Sequence, residues 1–176
     1  PGVSDFDGKI HWSRSYYGNA QRFHEGFDMD VAVIGNRYTP PRRDARAISQ
    51  LAEGGDNSTI TIEGVDPAVG QRTATWSELN RVTVNQQDGE NTRLNIVKTT
   101  GLITGTYYRV YVDGDGIRRT ISLPLRGVAL QKQGLATGSW QKGADSGFFG
   151  VQSVGQPTLV AQDAAGTNIS NNGTLA

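Results

Sequence analysis

Short runs of alternating apolar and polar residues recur along the chain, separated by glycines and Asp-Gly pairs. Residues 59–62, 72–76, 81–84, 92–99 and 107–112 carry the period of two that places every second side chain on one face of a strand. The runs at 107–112 and 117–123 flank Asp113-Gly114-Asp115-Gly116 and make the strongest hairpin signal. Asp88-Gly89 marks a second hairpin turn, because Asp and Gly tolerate positive φ. Residues 127–130, 147–152 and 157–161 complete the strand set, and 31–34 reads as a short buried strand stopped by Gly35-Asn36. One segment has another period. Thr39 as N-cap, Pro40 in the first turn, Ala45, Ile48, Leu51 and Ala52 at helical spacing, and Gly54-Gly55 as a stop predict a helix over 40–53. Residues 1–30 sustain neither period. They read as an extended arm with short strands, whose aromatics Phe6, Trp12, Tyr16, Tyr17, Phe23 and Phe27 anchor it to another surface; the plainer alternative is a hairpin packed on the chain's own core. The pattern therefore predicts a mainly β fold, a sandwich or barrel with one short helix, in which 1–30 is an arm and 31–176 a single domain.

Composition sharpens this picture. Glycine supplies 23 of 176 residues, well above the usual share of about 7%, while Thr, Val, Ile and Tyr fill the strand candidates. That combination argues against disorder and for a turn-rich β protein with a thin core, of the kind often completed by neighbouring subunits. The 17 basic residues balance 17 acidic ones, which disfavours an overall basic nucleic-acid binder and a polybasic membrane binder. No apolar run is long enough for a membrane-spanning helix, and the first residues lack the basic start and apolar core of a secretory signal. Charge is unevenly placed. Residues 1–46 hold seven basic and six acidic side chains, whereas 127–176 hold only Lys132, Lys142, Asp145 and Asp163. A free surface carries about 25–35% charged residues, so the charge-poor stretch is either buried in the domain or covered by a partner.

The chemistry-bearing residues favour bland readings. Cysteine is absent, which removes disulfides, thiol nucleophiles and thiolate metal sites. Asp113 and Asp115 alternate as in a calcium loop, but position twelve of that pattern falls on Pro124 and no bidentate Glu follows, so a turn is the better reading. His24-Glu25 with Asp28 and Asp30 is the densest set of possible ligands, yet no second histidine follows to complete His-Glu-x-x-His. There is no Gly-x-Ser-x-Gly elbow and no phosphate-binding loop. Arg37, Arg42, Arg43 and Arg46 form the local basic cluster; three of them would oppose the dipole of the expected helix and so should meet acidic groups, most readily across a protein interface. No catalytic residue, cofactor or metal ligand is assigned.

In the last third, Gly127-Val-Ala-Leu130, a glycine-rich link, Gly147-Phe-Phe-Gly-Val-Gln-Ser-Val-Gly155 and Thr158-Leu-Val160 together resemble a pattern of small tailed-bacteriophage virion proteins, in particular head decoration (cement) proteins. The resemblance covers about fifty residues, 127–176. It implies a small β-rich domain that clamps neighbouring capsid subunits, with the major capsid protein and further copies of itself as partners, in a virion assembled in the host cytoplasm. Trp12, Tyr16, Tyr17, Phe23, Phe27, Arg42, Arg43, Arg46, Phe148 and Phe149 are the expected interface. Two other classes stay open: a tail, neck or other filament subunit, and a secreted carbohydrate-binding β-sandwich using Trp12, Trp76 or Trp140 as its stacking platform.

Overall fold

A computed structural model describes residues 4–18, 25–65, 71–143 and 145–155. The described chain is built from ten strands: β1 (Phe6–Arg14), β2 (Phe27–Gly35), β3 (Ser58–Ile62), β4 (Arg72–Trp76), β5 (Val82–Val84), β6 (Glu90–Val97), β7 (Leu102–Val112), β8 (Arg118–Leu130), β9 (Leu135–Lys142) and β10 (Asp145–Ser153). β1 and β2 form a separate antiparallel hairpin, and the other eight form one antiparallel sheet in the order β5-β4-β3-β10-β9-β8-β7-β6. Within that sheet each strand lies beside its neighbour in sequence, and β10 returns to β3 through the pairs Phe149↔Ile62 to Ser153↔Ser58. The sheet curls until its edge strands meet at a single bridge, Arg81↔Asn95. The result is a nearly closed, up-and-down eight-stranded barrel.

Alternation along the strands fills the barrel. Leu94 and Ile96, Ile103 and Tyr107, Leu123 and Leu125, Ala136 and Trp140, and Phe149 and Val151 all point inward and are buried. Eight strands leave an interior just wide enough for side chains, and here four inward positions are glycine: Gly105, Gly127, Gly138 and Gly147. Gly127 and Gly138 face each other on β8 and β9, and the Phe149 ring lies directly over both. Gly147 leaves the space through which the Trp140 indole reaches the Glu63 carbonyl oxygen, to which its Nε1–H donates at 2.8 Å. Part of the glycine excess is thus core packing, in addition to turns.

The helix expected over 40–53 is absent; this segment runs through turns and bends. It nevertheless buries Ala47, Ile48 and Leu51 in the barrel core. Its backbone groups are paired by side chains that reach out from one end of the barrel. Asn80 Oδ1 accepts from the Ala47 N–H at 2.7 Å while Asn80 Nδ2 donates to the Ala45 carbonyl. Gln131 Oε1 accepts from the Thr39 N–H, and Gln131 Nε2 donates to the Thr39 and Ala47 carbonyls. Lys98 Nζ donates to the Arg43 carbonyl, and the Ala52 N–H donates to Ser153 Oγ. These partners sit on the β4–β5, β6–β7 and β8–β9 turns and at the end of β10, which all lie at the same end of an up-and-down barrel. The segment is the plug of that end. Helical spacing arose because Ile48 and Leu51 both face the core, and external amides replaced the internal hydrogen bonds of a helix.

Other expectations are also refined. Residues 31–34 are a strand, but not a buried one: they lie in β2, where Ile34 is 55% exposed. Residues 127–130 are the end of β8 and not a separate strand, β9 lies where a link was expected, and Asp88-Gly89 joins two strands that share only the single bridge. The run at 157–161 lies outside the described residues.

A β-carbon at Gly138 would press on the Arg126 carbonyl oxygen and lie 2.6 Å from the Phe149 ring, whereas one at Gly114 would meet nothing within 4 Å. Gly138→Ala should therefore lower unfolding stability by about 1–3 kcal/mol or more, and Gly114→Ala should leave it nearly unchanged. Urea unfolding followed by tryptophan fluorescence distinguishes the two.

Candidate functional site

The β1–β2 hairpin is the part of the described chain that does not contribute to the barrel. Its register pairs Phe6 with Gly35, Ile10 with Val31, Trp12 with Met29 and Arg14 with Phe27, so these side chains share one face. The other face holds Asp7, Lys9, His11 and Ser13 opposite Ile34, Ala32, Asp30 and Asp28. The hairpin is thus amphipathic, yet all nine residues of β1 are exposed, including Phe6, Ile10 and Trp12, each more than half accessible. Trp12 stacks edge-on against Phe27 with ring centroids 4.9 Å apart. A lone two-stranded hairpin is marginal in water. This one is fixed at its base: the Asp5 N–H donates to the Gly35 carbonyl, and the Asp5 carboxylate pairs with Lys132 and accepts from the Arg37 N–H. The Lys132 hydrogen bond first, and then Arg37, hold Asp5 below the usual carboxylate range.

The expected interface residues separate into two groups. Trp12, Tyr16 and Tyr17 are exposed on the hairpin and in the loop that follows β1, Phe27 lies on the apolar face, and Arg42 and Arg43 are exposed on the plug. Phe23 lies outside the described residues, as does His24. Arg46 and Phe149 do not fit the expectation. Arg46 is folded back onto the Ala52 carbonyl and Glu53, so the acidic partner it needed is in its own segment. Phe149 is fully buried because the facing glycines admit its ring, while Phe148, on the opposite face of β10, is half-buried. Trp76 and Trp140 are core residues and offer no stacking platform.

The acidic cluster forms with a different histidine. His11 lies across the strand pair from Asp30, with Nδ1 3.1 Å from the Asp30 carboxylate and Nε2 3.3 Å from Asp28. Among the described residues no group of three or more histidine and carboxylate side chains is placed to hold a metal ion. Asp113 serves the turn: one oxygen accepts from the N–H groups of Asp115 and Ile117, and the other from Arg119. The Arg119 hydrogen bond, followed by the Ile117 N–H, keeps Asp113 below its ordinary pKa. An open depression of about 400 Å³ beside the Arg46–Glu53 pair is bounded by Thr75, Ser77 and Glu78.

The densest ionisable group is structural in position, at the barrel end opposite the plug. Arg72 grips Glu90 with two hydrogen bonds of 2.7 and 2.8 Å, Tyr107 donates to the same carboxylate at 3.2 Å, and Arg109 stands 3.8 Å away. The Glu90 side chain is only 2% exposed. Burial pushes its carboxyl up, but the Arg72 hydrogen bonds and charge, with Tyr107 and Arg109, outweigh this and hold it below the usual value. Tyr107 is pushed up to about 12 by burial first and by the Glu90 charge second. The sequence held no sign of this group, because Arg72 and Glu90 are eighteen positions apart and meet only when the barrel closes.

Against known protein families, curated proteins and solved structures, the chain has no match.

Tyr107 releases its proton near pH 10 when unfolded but near 12 when folded. Above pH 10 the unfolded chain binds fewer protons, so stability should fall between pH 10 and about 12. Tyr107→Phe should remove that alkaline decline, which a pH series of urea midpoints would read. Glu90 acts in the opposite sense: its contribution is present above pH 4.5 and lost as pH drops through its lowered folded value. Glu90→Ala, which strands Arg72 in the interior, should cost about 3–5 kcal/mol. The double variant Arg72→Met/Glu90→Leu should recover much of that loss in the same assay.

Proposed function

We propose that this chain is a non-enzymatic structural subunit of a virus particle, most specifically a capsid decoration protein that bridges neighbouring shell subunits. The observation that carries the reading is the amphipathic hairpin, anchored at its base to a filled barrel and exposing Phe6, Ile10 and Trp12 to solvent. An apolar sheet face of this kind is a docking element, because burying it on another surface removes aromatic and aliphatic area from water. The barrel supplies a stiff body from which the hairpin reaches about 30 Å, nine residues at about 3.3 Å each. The described part of the stretch that resembles decoration proteins, residues 127–143 and 145–155, falls on β8, β9 and β10, the strands that meet at the Gly127–Gly138–Phe149 packing. Repeated over a shell, modest contacts of this size add up to resistance against internal pressure.

The test is binding of the purified protein to empty phage heads, followed by sedimentation. Saturation at a fixed ratio to the major capsid protein, abolished by Trp12→Asp, is the expected result. Failure to bind heads, together with growth into tubes, would replace this reading with that of a tail or filament subunit. A Trp12 fluorescence change on adding glycans, with no capsid binding, would move it to carbohydrate recognition.

A further inference from the structure

The outer wall of the barrel is not uniformly exposed. Outward threonines on β4, β5 and β7 meet solvent, as Thr73, Thr83, Thr104 and Thr106 do. On β3 and β10, which lie side by side, the outward positions are closed: Thr61 is 8% and Gln152 5% exposed, and Gly150, the cross-strand partner of Thr61, is buried as well. These positions alternate with Ile60, Ile62, Phe149 and Val151, which fill the core, so they face away from it. Yet the wall is one sheet thick and the plug lies across the end of the barrel. The hairpin is not the cover either, because Phe6, Ile10 and Trp12 would not be more than half accessible if it lay on this face. The cover must come from chain outside the described residues.

We infer that residues 157–161, Pro-Thr-Leu-Val-Ala, fold back as a strap over the outer face of β3 and β10 of their own chain. β10 ends at Ser153 and the next residues turn: the Val154 N–H donates to the Asn57 carbonyl, and Gly155 has a φ of 80°, which glycine takes without strain. The chain therefore leaves at the end of the covered strip, beside Gln152. Five extended residues span about 17 Å, the length of the five-residue strand β3. The two surfaces also match in chemistry. Thr59, Thr61, Phe148, Gly150 and Gln152 face outward without a charge among them, and residues 156–162 carry none. Gly150 leaves a recess between Phe148 and Gln152 that Leu159 or Val160 can fill, and the threonine hydroxyls are partners for a strap backbone, as Asn80 and Gln131 are for the plug. Other stretches are poorly placed: 66–70 lead from β3 to β4, on the side away from β10, and 19–24 close the tip of the projecting hairpin. A strap accounts for the poverty of charge after residue 127 without a partner molecule. It lies on a different face from the hairpin, so it stands or falls independently of the capsid reading.

The absence of cysteine makes a single introduced thiol a clean reporter. Thr61→Cys, beneath the strap, should react with a soluble thiol reagent about tenfold or more slowly than Thr73→Cys on the bare wall of β4. Adding Leu159→Asp and Val160→Asp puts two charges on the strap and should raise the Thr61→Cys rate to that of Thr73→Cys. Unchanged tryptophan emission, dominated by the buried Trp76 and Trp140, verifies that the barrel is intact in each variant. The protection should be the same across a wide dilution series. A second route leaves the strap uncharged: Thr61→Cys combined with Leu159→Cys or with Val160→Cys should, on mild oxidation, close a disulfide within one chain in at least one pairing. Rapid labelling of Thr61→Cys in the otherwise unaltered chain, protection that survives the two aspartates, or failure of both pairings to bridge would overturn the inference. Protection lost on dilution would also overturn it, by assigning the cover to a second copy.

Discussion

Everything in the barrel depends on how its last gap is closed. Seven of the eight strand–strand contacts are regular ladders, but β5 is only three residues long and meets β6 at the single bridge Arg81↔Asn95. The rest of that seam is made by side chains. The Gln86 amide takes the place of a missing strand, accepting from the Thr92 N–H and donating to the Thr92 carbonyl, each at 2.8 Å. Beyond the end of β5, Arg72 reaches across to Glu90. The pair is expensive to bury, and its position suggests what the expense secures: the carboxylate and guanidinium fix which edges meet and in which register, a matter of specificity more than of net stability.

The same economy of regular structure governs the plug. Residues 37–53 have no repeating hydrogen bonds of their own, so Asn80 and Gln131 serve as external partners for their backbone. Asn80 adopts a φ of 60°, a region open to Asn at modest cost, and this aims its amide inward at Ala45, Ala47 and the Trp76 indole. The hairpin leaves from this end, tied through Asp5 to Lys132 in the β8–β9 turn. The fold therefore has two unlike ends, one sealed by chain and bearing the projecting arm, the other sealed by charge.

Most strands were legible because alternation is a local signal: β3, β4, β6 and β10 lie close to where it placed them, while β7 begins five residues before the expected run at 107–112, in a stretch that Gly101 and Gly105 made look like a link. β9 was missed for a physical reason. Its residues, LATGSWQK, are small or polar at most positions, and inward-facing Gly138 looks like a turn residue until Phe149 is seen above it. The helix was misread because apolar spacing reports which residues face the core and does not report who satisfies the backbone. The aromatic richness of the first thirty residues was visible, but their division into an apolar and a polar face was not, since that depends on the β1–β2 register. Long-range features such as Arg72–Glu90 and Gln131–Ala47 leave no trace in local sequence.

The side chains along the seam also have a protective role. If β5 and β6 parted, each would present an unpaired row of backbone donors and acceptors, and a sheet edge in that state recruits strands from other chains. Because Gln86 occupies the Thr92 backbone groups and Arg72 holds the start of β6, the barrel keeps its most vulnerable edges occupied even where no strand is available to cover them. A chain that already exposes Phe6, Ile10 and Trp12 on its hairpin has particular need of such a safeguard, because a second sticky surface along an open sheet edge would add uncontrolled association at high local concentration.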